Sequence, residues 1–314
     1  MSPPSPVPPA GLSWFGRRKK ALLRWGNARV WHRWPVIVRP LVKDFRRYHG
    51  YAPHIFRPRT LSEKVLHRML FDRRKHLHVL SGKLESRGFA QRRTGSDQCL
   101  VPLVACIRNP AELREVELPE KFVMKASRGS EMTYIHRGEV PPDIHHLERL
   151  CDLWLKDQFP RGTLEWCYEH AEDVVLIEEL LLDENGKLPV DYKIFCFDGI
   201  PRYIRTCEAR FSDQVTNIFL TPEWVPLEDQ TPYFKPALAP PPRPPHLAEM
   251  LELAATLSRG TDMLRVDLYD VGGKVYLGEL TNTPSRAMMP YPPFEFDLFL
   301  GSFWKVDTRT PLEL

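Results

Sequence analysis

The chain has 314 residues, 43% hydrophobic and 27% charged, which leaves room for two domains, or one large domain with a tail, in an ordinary globular composition. Its net charge of +4 is unevenly spread: the first fifty residues hold eleven Lys and Arg against one acid, Asp44, and the remainder carries more acids than bases, which argues against a nucleic-acid partner. The six cysteines form no CxxC pair and have no His at zinc spacing, no apolar run reaches the ~20 residues of a membrane span, and no charge-free apolar stretch follows Arg17 to Lys20 as a signal peptide requires; the expectation is reduced thiols in a cytoplasmic protein.

In chain order, Met1 to Pro9 is proline-rich and expected to be disordered. Trp14 to Trp34 reads as a basic helix with Trp14, Phe15, Leu22, Trp25, Trp31 and Trp34 as its large apolar residues, and Pro35 and Pro40 are expected to break the chain beyond it. Tryptophans interleaved with arginines suit docking at an anionic membrane surface, and equally a helix packed on the body with its arginines in water. Arg59 to Leu70 opens on a capping box, Thr60 to Glu63, and continues with Val65, Leu66, Met69 and Leu70 at helical spacing. Lys83 to Arg92 is a second helical segment, and Leu100 to Ile107 is a short apolar run. Phe122 to Lys125 is a strand ending in Ala126-Ser127-Arg128-Gly129-Ser130, and Met132 to Ile135 returns beside it. A plain hairpin fits this pattern, as does a flap that covers phosphates with backbone N–H groups, Lys125 supplying charge at its base.

Ile144 to Trp154 is an amphipathic helix, and Val174 to Leu182 is a buried strand running into acidic residues. Pro189 to Phe197 alternates as another strand, with Asp191 and Lys193 on one face and Tyr192 and Ile194 on the other. Asp198-Gly199 turns the chain into a strand at Tyr203 to Cys207, where Arg205 and, beyond it, Arg210 stand out. Trp224 to Pro245 is loop-like, and His246 to Leu257 is a helix with a core stripe. Met263 to Pro284 then reads as a hairpin: Leu264, Val266 and Leu268 alternate with Arg265, Asp267 and Tyr269, and glycines break the run before Val275 to Leu280. A three-residue loop, Gly272-Gly273-Lys274, pairs Val271 with Val275 and sets Asp267 opposite Glu279 on the face of Arg265. A two-residue loop slips the register by one and turns Glu279 away. Facing carboxylates call for a cation between them, and hard oxygens at that separation suit Mg²⁺; the plain alternative is a solvated hairpin face.

From about Phe56 to Trp304 these pieces resemble the ATP-grasp superfamily, and within it the TupA-like (teichuronopeptide biosynthesis) branch. The resemblance rests on RTLSEK (Arg59 to Lys64), FVMKASRGS (Phe122 to Ser130), IEELL (Ile177 to Leu181), DYKIFCFDG (Asp191 to Gly199), RVDLY (Arg265 to Tyr269) and GELTNTP around Glu279. It implies an α+β ATP-grasp fold in which two subdomains clamp ATP, preceded by the basic helical extension. The corresponding division is 1–50 extension, 51–115 N-terminal helical region, 116–180 subdomain with flap and hinge, and 181–314 C-terminal subdomain with the metal hairpin. Carried over residue by residue, Lys83 and Lys125 meet ATP phosphates, and Ser127, Gly129 and Ser130 belong to the flap. Glu178, Glu179, Leu180 and Leu181 form the hinge that reads adenine, and Asp191 and Lys193 lie on the phosphate or ribose side. Asp267 and Glu279 bind Mg²⁺, with Thr281 and Asn282 as further candidate ligands, and Arg265 meets the transferred phosphate or the acceptor.

Three departures stand out: Thr281 where the superfamily usually has Asn, Ser285-Arg286-Ala287 in place of a glycine-rich turn, and Glu131 where the flap usually has glycine. The activity implied is an ATP-dependent carboxylate–amine ligase with an acylphosphate intermediate. Its substrates would be a carboxylate and an amine or saccharide in bacterial cell-surface polysaccharide synthesis, at the inner face of the membrane through residues 1–50. A phosphoryl or glycosyl transferase of the same pathway and a non-catalytic scaffold stay open as alternatives.

Overall fold

The computed structural model describes residues 34–157, 165–208, 215–228, 230, 235–236 and 239–306, and two sheets organise them. The basic helix expected at Trp14 to Trp34 lies outside the described residues, except for its last. Four helices come first: α1 (Trp34–His49), α2 (Leu61–Phe71), α3 (His76–Ser81) and α4 (Lys83–Thr94). α1 corrects one expectation, because it runs through both prolines. Pro35 stands at its first turn, where no N–H is needed, and the helix continues through Pro40 because Val38, Leu41 and Phe45 bury one face against the body. α2 begins as its sequence dictates: Thr60 Oγ1 accepts from the Glu63 N–H at 3.1 Å, and the Glu63 carboxylate accepts in turn from the Thr60 and Arg59 N–H groups.

The smaller sheet contains β1 (Leu103–Ile107), β2 (Phe122–Ala126), β3 (Thr133–His136) and β4 (Val175–Glu179), in the order β1-β4-β2-β3. Helix α5 (Ile144–Lys156) covers one face through Leu147 and Cys151, which meet Ile107, Phe122, Met124, Val175 and Ile177. Since β1 precedes residue 116, a subdomain boundary placed there cuts through this sheet.

The larger sheet contains β5 (Asp191–Phe197), β6 (Ile200–Glu208), β7 (Thr216–Leu220), β8 (Lys235–Pro236), β9 (Met263–Val271) and β10 (Lys274–Thr281), in the order β10-β9-β5-β6-β7-β8. One face is mainly apolar: Tyr192, Ile194, Ile204, Val266 and Leu268 pack against α6 (Leu247–Ser258) and the inner sides of α3 and α4. The opposite face is divided. At one end Phe195, Phe197, Tyr203, Phe219 and Met263 pack against α1, α2 and α7 (Phe294–Ser302). The other end of the same face carries the charges, because strand alternation continues the row of Phe195 and Phe197 into Lys193 and Asp191.

The apolar end is fastened by a buried ion network. The Arg68 guanidinium bonds to Asp262, donates to the Met263 and Asn282 carbonyls at 2.9 and 3.0 Å, and lies over the Trp304 ring. Arg74 joins Asp72 to the same Asp262. Among the described residues no helix is long and apolar enough to cross a membrane.

Candidate active site

Strand register sets one row of charge across four strands. Arg205 of β6 is opposite Lys193 of β5, Lys193 is opposite Asp267 of β9, and Asp267 is opposite Glu279 of β10. Lys193 Nζ donates to Asp191 Oδ2 at 2.6 Å and Asp267 Oδ2 at 2.7 Å. Arg265 donates from Nε and Nη2 to the two Asp267 oxygens at 2.6 and 2.7 Å, reaches Thr281 Oγ1 at 3.0 Å and stands 3.6 Å from Glu279 Oε2. The cation between the facing carboxylates is therefore Arg265 itself. Burial alone would raise the Asp267 carboxyl, but Arg265 and Lys193 outweigh it and hold the group well below the usual carboxylate range. Burial likewise opposes the Arg265 charge, and Asp267 more than restores it.

The turn of this hairpin differs from the expected one. Val271 pairs with Lys274, so the loop is the two residues Gly272-Gly273, both at positive φ. On an unbroken ladder that loop would turn Glu279 away. A bulge intervenes: Leu277 is opposite Leu268 and Glu279 is opposite Asp267, with Gly278 the extra residue. A Cβ at Gly278 would sit 2.7 Å from the Tyr269 ring, which would have to shift to admit one. The expected facing pair is present, reached by a different route.

A second cluster lies on the smaller sheet. Glu178 is buried between Lys125 Nζ at 2.5 Å and Arg87 Nη1 at 2.9 Å, while its neighbour Glu179 points outward. Lys83 Nζ donates to the Gly129 carbonyl at 2.8 Å, and the Lys83 N–H donates to the Ser127 carbonyl at 3.1 Å. Ser127 Oγ accepts from the Leu84 N–H, so the start of α4 is tied to the loop after β2. That loop closes through the Ala126 N–H and Met132 carbonyl, with Gly129 and Glu131 both in left-handed backbone and Ser130 exposed at its tip. Beside the larger sheet, Thr283 Oγ1 donates to Glu165 Oε1 at 2.9 Å, and burial pushes the Glu165 carboxyl up to about 7 despite that bond.

The TupA-like ATPgrasp family model matches residues 63–305, a span that takes in both sheets and every charged group just described. The chain belongs to the TupA-like ATP-grasp family. No curated protein matches. Among solved structures, D-alanine–D-alanine ligase from Bacillus anthracis complexed with ATP is 16% identical, over 66% of this chain and 54% of that one, at a TM-score of 0.35. D-alanyl-alanine synthetase A from Vibrio cholerae is 11% identical over 67% and 57%, at 0.39. The biotin carboxylase domain of Hydrogenobacter thermophilus 2-oxoglutarate carboxylase, with MgADP, ADP and bicarbonate, is 13% identical over 74% and 47%, at 0.40. The chain thus spans about half the length of the solved structures it matches.

Within this TupA-like chain the structure gathers Asp191, Lys193, Arg265, Asp267, Glu279 and Thr281 into one cluster, and Lys83, Lys125, Ser127, Gly129 and Glu178 into the other. Asn282 belongs to neither. Its amide donates to the Leu77 carbonyl and Ser81 Oγ on the α3 side of the strand, because adjacent strand residues face opposite ways. Along the hinge, the Glu179 N–H already donates to the Pro102 carbonyl and the Leu180 N–H to the Lys121 carbonyl, while the Leu180 and Leu181 side chains are half-buried. Arg87 is a participant that no motif marks, although it lies one helical turn from Lys83 and so shares its face. Glu165 belongs to no motif either, and only the fold brings it to Thr283 of GELTNTP and within the influence of Glu279.

Proposed function

We propose that this chain is an ATP-dependent, ADP-forming carboxylate–amine ligase acting in cell-surface polysaccharide synthesis of the teichuronopeptide type. The observation that carries the reading is the row Lys193, Asp267, Glu279, with Arg265 between the carboxylates, in a chain of the ATP-grasp family. In such a reaction a substrate carboxylate oxygen attacks the γ-phosphorus of ATP, the bond to the β-phosphate oxygen breaks and ADP leaves. The amine then attacks the acyl carbon and phosphate leaves. Little covalent work falls to the protein, which must position the groups and balance spreading negative charge.

The donor set fits Mg²⁺: two hard carboxylates on adjacent strands, one of them half-exposed, match an ion that takes one or two carboxylates beside phosphate oxygens. Asp267 and Glu279 would hold the ion, which when bound supplies charge neutralisation at the transferred phosphate. Arg265 and Lys193, freed in part from Asp267, would turn to the transferred phosphoryl oxygens. Lys125 and Lys83 would face the remaining phosphates under the loop of Ser127, Gly129 and Ser130, and the hinge from Glu178 to Leu181 would hold the base. The exposed Arg39, Lys43, Arg46 and Arg47 of α1 would continue a basic N-terminal surface toward anionic lipid.

A thermal-shift titration tests the nucleotide site: ATP should raise the melting point in a Mg²⁺-dependent way, and Asp267→Ala should abolish the rise. Absence of a shift at millimolar ATP removes the nucleotide reading. Hydroxylamine should then trap the activated carboxylate as a hydroxamate, and ADP release with no hydroxamate would favour direct phosphoryl transfer. Sedimentation with anionic liposomes that persists after removal of residues 1–50 would refute the membrane role of that segment.

A further inference from the structure

The charged row has one member that the ion pairs leave over. Lys193 is held by Asp191 and Asp267, and Arg265 by Asp267, Thr281 and Glu279. Arg205, at the end of the row, is 7% exposed and forms no ion pair among the described residues. Among the described residues its Nε has no hydrogen-bond partner, and Nη1 lies 3.0 Å from Met289 Sδ, a thioether that is a weak acceptor and no counterion. Burial is the largest influence on it and lowers its pKa; the like-charged Arg265 acts in the same sense, and Tyr291, Cys207 and Asp267 offset them only in part. A buried guanidinium without an ion pair is costly.

Asn217 makes the same point independently. It lies on the neighbouring strand β7, opposite Cys207 and on the face of Phe219 and Arg205, at 3% exposure. Neither its amide nitrogen nor its oxygen has a hydrogen-bond partner among the described residues. Two buried polar side chains with unmet bonds, diagonal neighbours on one sheet face, are a place that a polar group from outside the chain would complete. Met289 lies against Arg205 there, just beyond the turn Pro284–Ala287, where Ser285, Arg286 and Ala287 all hold positive φ without being glycine. Strain of that kind persists only where its surroundings over-determine it, and it clusters at clamps and switch regions.

We propose that Arg205 and Asn217 form the subsite that takes the carboxylate of the substrate, with Met289 as the cap that this carboxylate displaces. The assignment rests on the ligase reading for the identity of the anion; the recess itself does not. A planar monoanion matches the edge of one guanidinium through two parallel hydrogen bonds, with the Asn217 amide as a third donor. Arg205 is a single cation, which suits a monoanion, while Lys193 and Arg265 go to the transferred phosphoryl group in the proposed reaction. Arg205 is two strands from Asp267, about 10 Å at strand spacing, which puts a carboxylate held there within one substrate's length of the metal-side carboxylates.

The test compares the full-length native protein with Arg205→Met and Asn217→Leu, by melting point, in sodium formate and in sodium chloride at matched ionic strength. Formate should raise the native melting point above the chloride series, should have no such effect on Arg205→Met, and should bind Asn217→Leu several-fold more weakly. Arg205→Met without ligand should melt higher than the native protein, since a neutral side chain of similar length replaces an unpaired charge; a purely structural arginine predicts the reverse. A lower melting point or failure to fold in Arg205→Met, or an equal formate response in native protein and both variants, overturns the proposal. Inorganic phosphate stabilising more than formate overturns the carboxylate assignment. MgATP is titrated in the same series: a MgATP shift lost in native protein and variants alike speaks against the nucleotide reading, while the formate comparison judges the recess alone.

Discussion

Replacing Asp267 by Asn separates two pictures of the charged row. If the facing carboxylates of β9 and β10 chiefly repelled each other, removing one charge would stabilise the fold. The structure predicts the opposite. Asp267 accepts three charge-assisted hydrogen bonds, two from Arg265 at 2.6 and 2.7 Å and one from Lys193 at 2.7 Å, and all three groups are buried. Asn keeps one acceptor and turns an NH₂ toward the cations. The loss of two such bonds, at about 1.5–3 kcal/mol each, gives roughly 3–6 kcal/mol, which overlaps the roughly 3–5 kcal/mol found when one partner of a buried pair is removed. Urea unfolding of native and Asp267→Asn protein at pH 7 measures the difference. The pH dependence provides a further check. The folded carboxyl titrates below its ordinary value of 3.8, so its contribution is complete above that value and is lost as pH falls through the folded one. The difference between the two proteins should therefore shrink at acid pH below about 4. A variant as stable as the native protein at pH 7, or more stable, would falsify the ion-pair account of the row.

Glu165 should behave in the opposite sense. Its folded carboxyl titrates at about 7 against an ordinary 4.5, so the folded state binds the extra proton between those values and stability falls as pH rises through them. The full span is worth roughly 3 kcal/mol, and Glu165→Gln should remove that decline while keeping the bond from Thr283; an unchanged pH slope in urea unfolding would contradict it. Deleting Gly278 restores an unbroken ladder with Glu279 still opposite Asp267, so the variant should fold and keep any Mg²⁺-dependent ATP shift; loss of both would show that the bulge itself shapes the site. Glu131→Gly should stabilise by about 0.5–1 kcal/mol, because the left-handed backbone at φ 68° costs a side-chain-bearing residue about 1–2 kcal/mol and glycine returns part of that as unfolded-state entropy; a destabilised variant would mean that the Glu131 side chain makes a compensating contact.

Local chemistry determined much of this protein from its sequence. The Thr60–Glu63 cap, the alternation that puts Asp191 and Lys193 on one face, and the strand pair carrying Asp267 and Glu279 each depend on residues a few positions apart, where helical and pleated periods dictate the outcome. Even the bulge left a trace, in the apolar phase that shifts from Val275 and Leu277 to Leu280. Tertiary structure decided the rest. Whether α1 stopped at Pro40 depended on the body surface that Val38, Leu41 and Phe45 could bury. Which carboxylate each cation holds, why Glu178 takes both Lys125 and Arg87, and why Arg205 forms no ion pair among the described residues depend on register between strands far apart in the chain. Sequence spacing fixes which way a side chain points, but a partner across a sheet is chosen only when the strands have paired, and the energy of a buried charge depends on that partner.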